Sequence, residues 1–187
     1  MKVVLFGDSI RLIGYGPLVS DILKDKGYDV YQPEDNCRFC KYTLRLIFEL
    51  DQYIRDADII HFNVGLWDVC TINKDGKAFS SIEEYKENLR RIAELFLDIT
   101  PHVIFATTTP VRKENPYNMN EVIDKYNEVA VEIMKELGIK INDLNSLFKN
   151  DIEKYIRADD LIHLTEEGAE LAAKQVADII EEEANSI

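Results

Sequence analysis

A serine, an aspartate and a histidine are the parts of an activated nucleophile, and this chain of 187 residues carries such a set split between its two ends. Ser9 follows Gly7-Asp8, directly after the apolar run Lys2-Val3-Val4-Leu5-Phe6. A serine in the first turn after a central parallel strand stands at the carboxyl edge of the sheet, where open α/β sheets bind ligands. The plain alternative is that Gly7 makes the turn and Ser9 caps the next helix. Near the other end, Asp160-Leu161-Ile162-His163 sets a carboxylate three residues before an imidazole. In a helical turn that spacing places both side chains on one face. The carboxylate then holds the imidazole tautomer and stabilises the imidazolium, while the other ring nitrogen serves a hydroxyl. On this reading Ser9 is the nucleophile, His163 the general base and Asp160 its orienter. Asp159 is the rival orienter, at a separation of four. The plain alternative for both aspartates is a negative N-terminus for the last helix.

These residues need elements to hold them. Short apolar runs with β-branched residues predict parallel strands at 2–6, 28–32, 57–64, 102–106 and 139–141. Apolar spacings of three and four predict helices between them. The first starts near Pro17 and runs up to Gly27, after a glycine-containing loop over 11–17. The second covers 41–56. Ser81-Ile82-Glu83-Glu84 reads as a capping box for the third. Asn118-x-x-Glu121 opens the fourth, stopped by Gly138, and Thr165 caps the last. Strict alternation of strand and helix implies an α/β fold, a five-stranded parallel sheet with helices on both faces in three layers. No linker or repeat divides the chain, so residues 1–187 are expected to form a single domain.

The balance of 22 basic against 35 acidic residues gives a net charge of −13. That excludes the basic face that nucleic acid needs, and anionic membrane surfaces with it. No apolar stretch reaches the length of a membrane span and no signal peptide is evident, so a cytoplasmic location is expected. Three cysteines cannot complete a disulfide framework. Cys37-x-x-Cys40, with Cys70 and His61, is a sketch of a zinc site; without a second C-x-x-C, reduced thiols are the favoured reading. Gly14-x-Gly16 lacks the third glycine of a dinucleotide fingerprint. No metal or cofactor is expected.

Gly7-Asp8-Ser9-Ile10 together with Asp160-x-x-His163 resembles the SGNH/GDSL hydrolase family, from the first block to the last. The resemblance implies a flavodoxin-like sheet, strand order 2-1-3-4-5, and ester hydrolysis. It also implies oxyanion donors from the serine N–H, from a glycine in a second block and from an asparagine in a third. The second block falls near 36–43, where there is no glycine; the backbone amides of Arg38, Cys40 or Lys41 are the available substitutes. The third block reads Gly65-Leu66-Trp67-Asp68, with Trp67 where the asparagine belongs. Asn63 or Trp67 takes over as donor, or the site is impaired. Asp8, Tyr15, Thr109 and Pro110 are expected to line the pocket. The expected protein is a serine esterase that works through an acyl-Ser9 intermediate. Its partner is a small ester, with an acetylated sugar favoured by Tyr15, Arg38 and Trp67. The alternatives are a non-catalytic ligand-binding module and a flavodoxin- or receiver-like domain, for which Asp8 and Asp68 give a sketch of the acidic residues.

Overall fold

The computed structural model describes residues 1–187. Five parallel strands form one sheet: β1 (Lys2–Phe6), β2 (Asp29–Tyr31), β3 (Ile59–Asn63), β4 (Val103–Ala106) and β5 (Lys140–Asn142). Their order is β2-β1-β3-β4-β5, as expected. β1, β3 and β4 are buried almost throughout, which is why they read as unbroken apolar runs rather than alternating ones.

The register sets Phe6 beside Phe62 and Phe62 beside Phe105. These rings share one sheet face and meet Phe96 of α4 (Ile82–Leu97) edge-on, at centroid separations of 5.3 Å from Phe6 and 5.1 Å from Phe62. α2 (Cys40–Glu49) and α5 (Asn120–Glu136) complete that layer against α4. On the opposite face lie α1 (Gly16–Asp25) and α8 (Glu166–Ala184), packed against each other. α8 carries Ala172, Val176 and Ile180 inward. The three-layer arrangement follows.

Two helices start as their sequences predict. Ser81 accepts from the Glu84 N–H while the Glu84 carboxylate accepts from the Ser81 N–H. Thr165 Oγ1 accepts from the Gly168 N–H. Four places differ from expectation. The segment 11–17 is no loop: Arg11–Tyr15 is a π-helix running straight into α1, with the Gly16 N–H bonded to the Arg11 carbonyl and a kink at Gly14. The helix expected over 41–56 breaks at Leu50 into α2 and α3 (Asp51–Ile54). Asn118 caps nothing; its side chain donates to the Leu66 carbonyl at 2.9 Å, and α5 starts two residues later. Two short helices, α6 (Leu144–Lys149) and α7 (Ile152–Tyr155), bridge β5 to the Asp160 segment. They are too short for periodicity to show.

Candidate active site

The turn after β1 is built so that Ser9 is left free. The Asp8 carboxylate, not the Ser9 hydroxyl, accepts the Ile10 N–H, at 2.9 Å. Asp8 is buried, and burial raises its carboxyl above the ordinary carboxylate range. Hydrogen bonds from Asn63 and Ile10 and the charges of Arg11 and His163 oppose that rise. Ser9 is half-buried, and its N–H has no acceptor within the protein. The capping alternative fails on this point, because a different side chain does the capping.

Arg11, which the sequence placed in a loop, organises the same turn. It is fully buried. Its guanidinium donates to the Gly7 carbonyl, the Pro33 and Asp35 carbonyls and the Gln32 side chain. It thus binds the turn after β1 to the segment leaving β2. Arginine is seldom buried unless paired, and here carbonyl oxygens take the place of a carboxylate.

His163 arrives from the far end of the chain. Its Nδ1 lies 2.9 Å from Asp160 Oδ2. The other carboxylate oxygen, Oδ1, accepts the backbone N–H groups of Ile162 and His163 at 3.0 and 2.9 Å. Burial would raise Asp160, but those two amides and the imidazole outweigh it and hold the carboxyl at about 2. An ionised Asp160 accepts only, so Nδ1 carries a proton, and in the neutral ring Nε2 is the nitrogen that presents its lone pair. Nε2 is buried and has no hydrogen-bond partner in the protein. No hydrogen bond joins it to Ser9. The two ends nonetheless meet: Leu164 packs against Gly14 of the π-helix.

Asp160 and His163 meet without the helical turn that their spacing predicts. Residues 158–163 form turns rather than a helix, with Leu161 in the left-handed region at φ 69°. An Asp side chain that caps amides two and three residues on brings the imidazole back to itself without a helix. Asp159, the rival orienter, is instead bonded to Arg157. The segment is pinned on both sides. Ile156 and Leu164 form an antiparallel bridge, and the Arg112 N–H donates to the Leu161 carbonyl at 3.0 Å.

The expected oxyanion donors fare differently. Asn63 is turned inward: its Nδ2 donates to Asp8 at 2.8 Å and its Oδ1 accepts from Tyr15 at 2.6 Å. Tyr15 is likewise fully buried, a core residue and not a pocket lining. The Arg38 N–H is taken by Asn36 Oδ1 at 2.8 Å, and its guanidinium lies over the Tyr42 ring. The Cys40 N–H points to the Asp68 carboxylate. The Lys41 N–H has no acceptor in the protein. Trp67 is half-buried and edge-on to Phe79, which stacks on Phe39. Thr109 and Pro110 are buried, and the Thr109 hydroxyl has no partner. The glycine that begins the third block is required by the fold. Gly65 has φ 145°, and a Cβ there would stand 2.4 Å from Thr108 Oγ1.

Asp68 ties these loops together. It is buried and accepts from the Ser80 hydroxyl at 2.6 Å as well as from the Cys40 N–H. It is therefore not presented to solvent as a receiver's phosphorylated aspartate must be. Burial pushes its carboxyl up to about 6, against the Ser80 and Cys40 hydrogen bonds. A raised carboxyl makes the folded chain hold a proton that the unfolded chain releases, so stability falls as pH rises between about 4 and 6. Asp68→Asn removes that titration. The Tm of the variant, relative to wild type, is expected to be higher near pH 7.5 than near pH 5; a pH-independent difference would contradict the assignment.

The cysteines and His61 do not converge. Cys37 Sγ accepts from the Gly7 N–H. His61 faces the α1 and α8 layer against Asn142 and Tyr15, and burial holds it neutral, at about 3. No group of three or more metal-ligating side chains is placed to hold an ion. No helix is long and apolar enough to cross a membrane.

Residues 5–171 match the family described as GDSL-like Lipase/Acylhydrolase. The chain is 26% identical to the GDSL esterase/lipase WDL1 of Oryza sativa subsp. japonica, over 96% of this chain and 77% of that protein. It is 24% identical to the GDSL esterase/lipase CPRD49 of Arabidopsis thaliana, over 97% and 79%. Among solved structures, its fold is similar to that of Axe2, an acetylxylan esterase from Geobacillus stearothermophilus. The TM-score is 0.79 and the identity 19%, with 96% of this chain and 93% of that one covered. A lipase/acylhydrolase from Enterococcus faecalis superposes with a TM-score of 0.80 at 21% identity, covering 97% and 95%.

Proposed function

The chain belongs to the GDSL-like lipase/acylhydrolase family, hydrolases of ester bonds, and from that premise we propose that it is a serine esterase acting through an acyl-Ser9 intermediate. The observation that carries this reading is a pair of uncommitted atoms at one sheet edge. The Ser9 hydroxyl is relieved of capping by Asp8, and His163 Nε2 is buried with a lone pair and no partner.

The chemistry follows from the tautomer. His163 Nε2 accepts the Ser9 proton as Oγ adds to the ester carbonyl. Asp160, ionised, stabilises the imidazolium across the 2.9 Å contact. Collapse of the tetrahedral intermediate breaks the bond to the leaving alkoxide, which takes the proton back from Nε2. Water then repeats the sequence and frees the acid, restoring Ser9. The developing oxyanion needs directed donors. The Ser9 N–H, which has no partner, is the first. The Trp67 indole N–H stands in for the family's asparagine, since Asn63 is spent inside the fold.

The substrate class we assign is an acetylated carbohydrate. Phe39 of the second-block loop and Trp67 of the third both meet Phe79, from the segment before α4, in a half-buried aromatic cluster. Partly exposed rings offer apolar faces to the C–H faces of a sugar, and Trp67 adds an indole N–H. A similar fold in an acetylxylan esterase agrees with this class without deciding it.

The test is a fluorophosphonate probe followed by mass mapping of the modified peptide. Ser9 is expected to carry the label, and heat-unfolded protein none. A label on another residue, or none on folded protein, overturns the acyl-serine reading and favours a ligand-binding module.

A further inference from the structure

Beneath the nucleophile turn runs a chain of buried polar side chains that take no direct part in ester hydrolysis. Tyr15 Oη donates to Asn63 Oδ1 at 2.6 Å. Asn63 Nδ2 donates to Asp8 Oδ1 at 2.8 Å. The same Asp8 oxygen accepts the Ile10 N–H at 2.9 Å, so the chain ends on the two residues that flank Ser9. We infer that Tyr15 and Asn63 are positioning residues that fix the angle of the Ser9 turn through Asp8; the inference rests on Ser9 being the nucleophile.

Three observations carry it. The first is polarity. A carboxylate oxygen only accepts, so the Asn63 amide must face Asp8 with its nitrogen and Tyr15 with its oxygen. The phenol must then donate. Each bond sets the direction of the next, and no member can rotate without orphaning a buried group. The second is fit. A Cβ at Gly7 would fall 2.1 Å from Asn63 Oδ1, so the amide lies hard against the turn and any tilt of it moves the backbone before Ser9. The third is the origin of Tyr15. It closes the π-helix that begins at Arg11, and both of these residues are fully buried under the turn. Single π-turns often mark functional sites; here the guanidinium bonds the turn directly at the Gly7 carbonyl, and the phenol reaches it through Asn63 and Asp8.

Asn63 thus serves the missing third-block asparagine indirectly. It cannot reach the oxyanion as a free donor, but it holds the N–H and hydroxyl of Ser9 where they are needed. A misplacement of the order of an ångström costs about a hundredfold in rate. Tyr15→Phe keeps the ring and removes only the terminal donor.

The experiment measures kcat and KM with an activated acetyl ester, and the rate of fluorophosphonate labelling, for wild type, Tyr15→Phe, Asn63→Ala and the double variant. Each variant's fold is checked by its far-ultraviolet dichroism and Tm. Tyr15→Phe is expected to lower kcat and the labelling rate together, by about tenfold or more, with KM within about twofold. The double variant should lose no more than Asn63→Ala alone, because both act through one chain. A wild type labelled at Ser9 alongside a Tyr15→Phe variant labelled equally fast overturns this inference and leaves the esterase reading intact. Additive losses overturn it too. Should Tyr15→Phe fail to fold, Asn63→Ala decides alone: unchanged kcat refutes the inference, and a fall in kcat at constant KM supports it. A wild type that labels nowhere overturns both.

Discussion

Replacing Ser9 by alanine is expected to lower kcat for an activated ester by roughly 10⁵-fold or more while leaving stability nearly untouched. The size follows from the roles: removing the nucleophile of a serine triad commonly costs about 10⁶, because the partners have nothing left to activate. Retained stability is the more specific part of the expectation. The cap bond to the Ile10 N–H belongs to Asp8, so the Ser9 hydroxyl contributes no bond to the fold. An uncommitted, half-buried hydroxyl should change ΔG by no more than about 0.5 kcal/mol. Thermal melts and ester turnover on one preparation separate the two effects. A Ser9→Ala protein retaining more than a hundredth of the activity would place the nucleophile elsewhere. A large fall in Tm with activity per folded molecule preserved would restore the capping alternative.

Asp160→Asn is expected to cost roughly 10³- to 10⁴-fold in kcat. The asparagine keeps an oxygen for the Ile162 and His163 amides, so the turn survives. Its other end, however, offers N–H groups where the carboxylate accepted. The imidazole answers with the opposite tautomer, Nε2 becomes the protonated nitrogen, and it no longer accepts the Ser9 proton. The stability change has a definite sign. Burial works against the Asp160 charge, and the amides and imidazole overcome it to hold the carboxyl at about 2, below the ordinary value near 3.9. The folded chain therefore gains stability that is complete above about pH 4 and lost as pH falls toward 2. The wild type should accordingly lose its Tm advantage over Asp160→Asn across that acid window and keep it at neutral pH. A variant within tenfold of wild-type kcat would show that Asp160 does not set the tautomer.

Much of the architecture was legible because its signals are local. The buried strands β1, β3 and β4 read as apolar runs, and Ser81 and Thr165 announce their helices through bonds made within one turn. What was hidden depends on contacts far apart in sequence. Glycines at 14 and 16 suggest a loop until Arg11 and Tyr15 are seen to be buried, and nothing nearby in the chain says that carbonyls from 33 and 35 will meet a guanidinium from 11. Alternation along β3 assigns Asn63 to a face without saying what stands there. Only the fold shows that Asp8 and Tyr15 occupy both ends of its amide. Asp160 and His163 were paired by an argument about helical spacing, yet an Asx turn brings them together. The two geometries share a separation of three, so sequence alone does not distinguish them.

The packing of α1 against α8 has a consequence for how the molecule comes into being. A chain emerging from its N-terminus has made all five strands once Asn142 is out, with one sheet face already covered by α2, α4 and α5. The other face is completed by α8, whose 19 residues pack against α1. Until α8 docks, the inward side of α1 and the strand residues beneath it stay open to water. Closing a contact between residues so distant in sequence is slow relative to local helix formation. A chain stalled before α8 is therefore expected to carry all five strands with one apolar sheet face still exposed.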